Sequence, residues 1–392
     1  MAAHGRRVGV PAPARYTVLA LGFAAFPLLA LIGVRFAEPL FLALVAGAVA
    51  LADRDDVDLK TAAAAGALAG LAALSRTIGA CAVAAIPVSL WLRGRRRSAV
   101  VAAGIGVAVA APWAVWVALR AGDIDPRLAN YTPYAQVVGQ TGLAPVLQGL
   151  VTLRALWPIP ELLLPRLPAW GFMPLAALVA GLLIFGGVVS FRRAPAFVAT
   201  VTLYLLISTV WPFAPHRFVW IVVPWLGLLL AAGWLRLWGF GRAARTVAVL
   251  VAATVAVGYL PREALSLTQR RFARPAERIS QSFRVLTASI GAEVPADAVI
   301  ASEDEALIHL YTGRRSVPSH LFRWQGIATA PLPGEEAVRY WCDVGVTHLA
   351  LTGPGGPVGE IVADLEQRPD TAVTPLFRIT NGPALYRFRC PG

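Results

Sequence analysis

The chain has 392 residues, 57% of them hydrophobic and 15% charged, with a formal charge of +13 and a mean hydropathy of +0.64. Such a composition excludes an ordinary soluble globular protein, and the apolar excess lies before residue 261. The positive charge does not point to nucleic acid, because the clustered arginines stand in short connections between apolar runs.

In chain order, apolar runs occupy residues 16–34, 38–52, 60–75, 77–92, 98–119, 171–190, 196–213, 217–238 and 244–260. Crossing ~30 Å of hydrocarbon takes roughly 20 apolar residues in a helix, so these runs predict about nine spans. None shows strand-like alternation, and the second to fourth are short enough for one to be re-entrant. Arg6 and Arg7, the group Arg93, Arg95, Arg96 and Arg97, the pair Arg192 and Arg193, and Arg242 with Arg245 are expected on the cytoplasmic side. Nine spans then leave Arg35, Arg76, residues 120–170, residues 213–216 and everything after Leu260 outside. The run Tyr16–Val34 is too long for a signal peptide and ends without a small-residue cleavage site. The expected product is a multi-pass protein of the cell membrane with a cytoplasmic N-terminus.

Residues 1–260 thus read as a helical bundle interrupted by an outer loop at 120–170, and residues 261–392 as a small extracytoplasmic α/β domain. The loop is rich in Leu, Pro and aromatics, which suits short amphipathic helices at a membrane surface, with Tyr134, Trp157 and Trp170 as interfacial anchors. The tail predicts a helix at 276–290, a strand at "AVIAS", helices at "DEALIHLYTG" and "GEEAVRYWCDVG", and a strand at "THLALTG". A helix at "GEIVADLEQ" and a hairpin turning at Asn381 and Gly382 complete it. Alternation of helix and strand implies a mostly parallel sheet with an antiparallel edge. Cys342 and Cys390 either pair in an oxidising compartment or remain free thiols.

Three stretches carry candidate chemistry. In "AGALAGLAALSRTIGACAV" the small residues Gly66, Gly70 and Ala73 permit close helix packing, and Arg76 ends the helix at the outer surface. That arginine either binds phosphate or snorkels to the interface. In "WPFAPHRFVWIVVPWLGLLLAAGW" His216 and Arg217 open a span, with Pro224 inside it; they suit an anionic headgroup at a helix start or an aromatic and basic belt. In "LIGVRFAEPLFLALV" Glu38 is a candidate base or substrate-orienting group, and equally a partner of Arg35 or a helix cap. "TGPGGPVGE" reads as a plain turn, because its spacing is not a dinucleotide fingerprint. His309, His320 and His348 lack metal-ligand spacing. Glu303, Asp304 and Glu305 suit a helix start, and Asp53, Asp55, Asp56 and Asp58 suit a solvated cytoplasmic turn.

Taken together, "FAEPLFLAL", "LAGLAALSRTIG" and "PHRFVWIVVPWLGLL", with "YTGRRSVP" and "VGVTHLAL" in the tail, resemble the GT-C type polytopic membrane glycosyltransferases. That group includes the protein O-mannosyltransferases and aminoarabinose transferases. The resemblance implies transfer of a sugar from a polyprenyl-phosphate donor to an acceptor on the outer face. It implies Arg76, His216 and Arg217 as ligands of the lipid phosphate and Glu38 in the same cavity. No tightly bound cofactor is expected, although some relatives use a divalent metal. The family's acidic catalytic residue lies in a first outer loop, and no long acidic loop precedes residue 38 here. The expectation is therefore a chain lacking its N-terminal catalytic loop, or an inactive relative. The competing classes are a lipid or solute transporter, which would place charges deep within spans, and a non-catalytic membrane scaffold whose outer domain binds a partner.

Overall fold

The computed structural model describes residues 1–34, 37–123, 125, 127–128, 144–152, 154–163, 169–211, 215–325, 328–353, 355–367 and 372–391. The chain forms two compact units, one of Met1–Ala118 with Leu143–Ala273 and one of Leu119–Gly142 with Arg274–Gly392.

The first unit is all helical: α1 (Ala2–Arg7), α2 (Ala12–Ala24), α3 (Phe26–Val34), α4 (Ala37–Ala52), α5 (Leu59–Ser75), α6 (Ala80–Leu92) and α7 (Arg96–Arg120). After these come α8 (Ala144–Thr152), α9 (Pro158–Leu163), α10 (Ala169–Phe191), α11 (Pro195–Val210), α12 (His216–Ile221) and α13 (Val223–Trp238). It ends with α14 (Arg242–Thr254), a π-helical turn at Val255–Tyr259 and α15 (Leu260–Thr268). Among the described residues each apolar run is mainly helical, yet only α7 is a single helix long and apolar enough to cross a bilayer. The bent pair α2 and α3, angled at 52°, passes the same test if counted as one span.

Several runs are broken rather than straight, and the first break has identifiable partners. Where α2 gives way to α3, the freed Leu21 carbonyl accepts from Tyr259 Oη at 2.6 Å, and Phe26 N–H donates to Glu263 at 2.5 Å. Backbone groups released inside an apolar bundle need such partners. The expected span 217–238 is also split: α12 lasts six residues, and Pro224 stands in the first turn of α13 instead of inside a helix. There its missing N–H costs nothing.

Close crossings rest on small residues. A Cβ on Gly66 would collide with the Ala102 carbonyl of α7, and one on Gly70 would lie 2.7 Å from the Gly106 carbonyl oxygen. Gly186 of α10 and Gly233 of α13 make a second crossing of this kind, 3.1 Å separating a Gly233 Cβ from Gly186 N. Contrary to the expectation of a solvated turn after α4, the four aspartates there do not share one environment. Asp53 is fully buried, and its oxygens accept from Ala196 N at 2.9 Å and Phe197 N at 3.0 Å at the start of α11. Asp58 caps α5 through Thr61 N at 2.7 Å.

The second unit contains α16 (Arg274–Glu293), β1 (Val299–Ser302), α17 (Glu305–Thr312), β2 (Arg315–Pro318), β3 (Phe322–Gln325), β4 (Ala328–Pro331) and α18 (Gly334–Asp343). Then follow β5 (His348–Leu351), α19 (Pro357–Glu366), β6 (Val373–Arg378) and β7 (Ala384–Phe388). The main sheet runs β2-β1-β5-β7-β6, with β1 parallel to β2 and β5, and β7 antiparallel to β5 and β6. The hairpin turns at Asn381, whose φ is +56°. Sequence reading missed β2, a polar edge strand opening on Arg315, and the separate β3–β4 hairpin. Trp341, wholly buried, packs edge-on to Phe388, and Cys342 and Cys390 form a disulfide with Cα atoms 5.6 Å apart.

Candidate functional site

Three of the four residues singled out from sequence meet inside the helical unit. Glu38 lies in the first turn of α4, where a carboxylate complements the free N–H groups, with Pro39 beside it. Its side chain is wholly enclosed. Arg76 follows the end of α5 in extended conformation (φ −153°, ψ 129°), which turns its side chain away from the helix. Its Nη1 donates to Glu38 Oε1, and its guanidinium carbon lies 5.5 Å from the Phe218 ring centroid. Arg217, in the first turn of α12, donates to the same Oε1 through Nε at 2.9 Å and Nη2 at 2.5 Å.

The charges do not cancel. Two guanidiniums face one carboxylate, leaving one positive charge. The burial is graded: 0% of the Glu38 side chain is exposed, 12% of Arg76 and 47% of Arg217. Glu38 therefore sits behind the arginines and fixes their planes, while Arg217 presents further N–H donors outward. Glu38 Oε2 is buried and has no hydrogen-bond partner among the described residues. Tyr204 supports the floor, its hydroxyl donating to the Phe218 carbonyl at 2.8 Å, and its ring packs against Phe41.

His216 does not join this cluster. Its Nε2 lies 2.7 Å from Glu161 Oε2, and its ring stands edge-on to Trp220 at 5.6 Å. Glu161 belongs to α9, and the carbonyls of Glu161 and Leu162 both accept from Arg262 Nη1, at 3.2 and 3.3 Å. A helix of six residues offers no extended dipole at its start, so any anion binding at α12 rests on side chains. Sequence reasoning missed Glu161. Its signal was its place as the acid of "WPIPELLL" in the outer loop, where a carboxylate among Leu and Pro is out of keeping with simple surface anchoring.

Arg35, weighed as a partner of Glu38, lies outside the described residues, as do Tyr134 and the side chain of Trp170. Trp157 is 40% exposed and donates from Nε1 to the Thr152 carbonyl at 2.9 Å. In the second unit Glu303 accepts from Thr352 Oγ1 at 3.4 Å instead of capping a helix, and burial raises its carboxyl above the usual range. Gly356, with φ +91°, leads into α19. Among the described residues no three His, Cys, Asp or Glu side chains converge as metal ligands.

No protein-family model matches the chain, and no curated protein matches it. Among solved structures, the chain is similar to the crystal structure of ArnT from Cupriavidus metallidurans in the apo state. The two share 13% identity, with a TM-score of 0.43, over 98% of this chain and 82% of that one.

Proposed function

We propose that the chain is a multi-pass membrane protein that holds a polyprenyl-phosphate sugar at Arg76 and Arg217 and transfers the sugar to an acceptor on the outer face. The observation that carries this reading is the arginine pair oriented from behind by the enclosed Glu38, with one positive charge in excess and Arg217 open to solvent. That arrangement suits a phosphodiester of single negative charge, and the same donors stabilise the second charge that develops on the departing phosphate.

Two further observations are consistent with it. An apolar groove of about 500 Å³ runs along α10 and α11, from Arg192 past Leu183 and Leu205 to Thr209, and suits an isoprenoid chain. The Cys342–Cys390 disulfide fits a second unit placed outside the cytoplasm. On this reading the nine apolar helical runs are spans, several of them broken, with the N-terminus cytoplasmic. Glu38 shapes the phosphate site, and its enclosure argues against its acting as the base.

The test is binding of decaprenyl phosphate to the purified full-length protein in detergent, followed by native mass spectrometry. Binding is expected for the wild type and weakened at least tenfold in Arg217→Ala and in Arg76→Ala. Equal retention of the lipid by both variants would sink the assignment.

A further inference from the structure

With Glu38 enclosed, an acceptor needs another group to take its proton, and a second charged pair is carried by the start of the same helix that carries Arg217. His216 precedes Arg217 at the start of α12, and its side chain and that of Glu161 are 34% and 45% exposed. The Glu161 carboxylate lies on Nε2 at 2.7 Å. A carboxylate there selects the tautomer with its proton on Nε2 and leaves the lone pair on Nδ1. Arg262 fixes the end of α9 that carries Glu161, and Trp220 packs against the imidazole. An imidazole held on one nitrogen by an anchored carboxylate is an oriented base on the other.

We infer, on the basis of the donor reading above, that His216 is the general base of the transfer, that Glu161 is its positioning residue, and that the acceptor presents a neutral hydroxyl group. The acceptor O–H gives its proton to His216 Nδ1 as its oxygen bonds to the anomeric carbon. The bond from that carbon to the phosphate oxygen breaks, and its electron pair leaves with the polyprenyl phosphate, onto Arg76 and Arg217. His216 becomes an imidazolium facing the Glu161 carboxylate and then releases the proton to water. A phosphate acceptor fits poorly. It is already anionic, needs no base, and would meet the negative charge of Glu161.

The experiment uses the full-length protein with radiolabelled decaprenyl-phosphate hexose and pentose donors, reading sugar release to water, the simplest hydroxyl acceptor, alongside native mass spectrometry of decaprenyl phosphate binding. His216→Gln is expected to lose on the order of 10²-fold or more in kcat, with donor KM within twofold of wild type and an altered pH profile. Glu161→Gln is expected to lose less, with a pH profile that also differs from wild type. Arg217→Ala is expected to raise donor KM instead. Wild-type binding and turnover with unchanged kcat and pH profile in His216→Gln would overturn this inference and leave the donor reading standing. A wild type that neither binds the lipid nor releases sugar would remove the donor reading and this inference with it. A second arm needs no turnover: diethyl pyrocarbonate should modify His216 several-fold faster in wild type than in Glu161→Gln, and equal rates would count against the oriented pair.

Discussion

Four aspartates crowd the turn after α4, and one of them is unlike the rest. Asp53 is completely buried and accepts two hydrogen bonds from the start of α11, 143 and 144 residues further along the chain. Asp56, by contrast, has a side chain 85% exposed. Asp53→Ala would leave two buried N–H groups without acceptors, at a cost of about 2 kcal/mol. The expected result is a clear drop in melting temperature for Asp53→Ala in detergent, a smaller one for Asp53→Asn, and none for Asp56→Ala. Identical melting of the two alanine variants would dismiss the capping role. The same contrast governs the candidate site. Glu38, Arg76 and Arg217 were legible singly, as charged residues at the outer ends of apolar runs. Their convergence on one carboxylate oxygen was not, because they are separated by up to 179 residues.

Among the helices, glycine positions decide where axes approach. A Cβ on Gly186 would strike the Leu229 carbonyl, and one on Gly233 would sit 2.6 Å from the Leu182 carbonyl oxygen. Backbone cannot yield as a side-chain tip does, so Gly186→Val should destabilise the first unit by about 1–3 kcal/mol. Gly181→Ala, on the same helix with nothing within 4 Å, should be neutral or slightly stabilising. Thermal melting of the pair checks this, and a Gly186→Val variant as stable as Gly181→Ala would contradict the crossing. Helix existence was legible from hydropathy. The break at residue 25 was not, since it depends on Tyr259 and Glu263, which arrive from far along the chain.

At the scale of the whole molecule, the two units answer different perturbations. The disulfide closes a separation of 48 residues in the second unit, and loop-closure entropy assigns such a link up to about 4 kcal/mol. Dithiothreitol should therefore promote unfolding and hydrogen exchange in residues 274–391 while leaving α4, α5 and α11 protected. Uniform loss of protection would show that the units do not unfold separately. The same unit has an acid-sensitive contact: Arg127 donates to Asp125 and, at 2.6 Å, to Asp343, and holds the Asp125 carboxyl below its usual range. A lowered folded value means stability that is present above the unfolded value of ~3.9 and lost as pH falls below it. The pair is about one-third exposed, so the contribution is on the order of 1 kcal/mol or less. Asp125→Asn should flatten the acid limb of the second unit's melting curve below pH 4 and leave neutral behaviour nearly unchanged.

What the sequence determined by itself is whatever depends on composition and neighbours: helices wherever an apolar run persists, the strands β1 and β5 between their flanking helices, and the β6–β7 hairpin turning at Asn381. These follow from backbone hydrogen bonding and side-chain period, which act over a few residues. Tertiary structure alone decided that Glu38 lies enclosed behind two arginines, that His216 turns to Glu161 rather than to that cluster, and that Asp53 is a buried cap. Each of those outcomes depends on burial and on a partner distant in sequence, and the energy of a charge is set by what surrounds it in space.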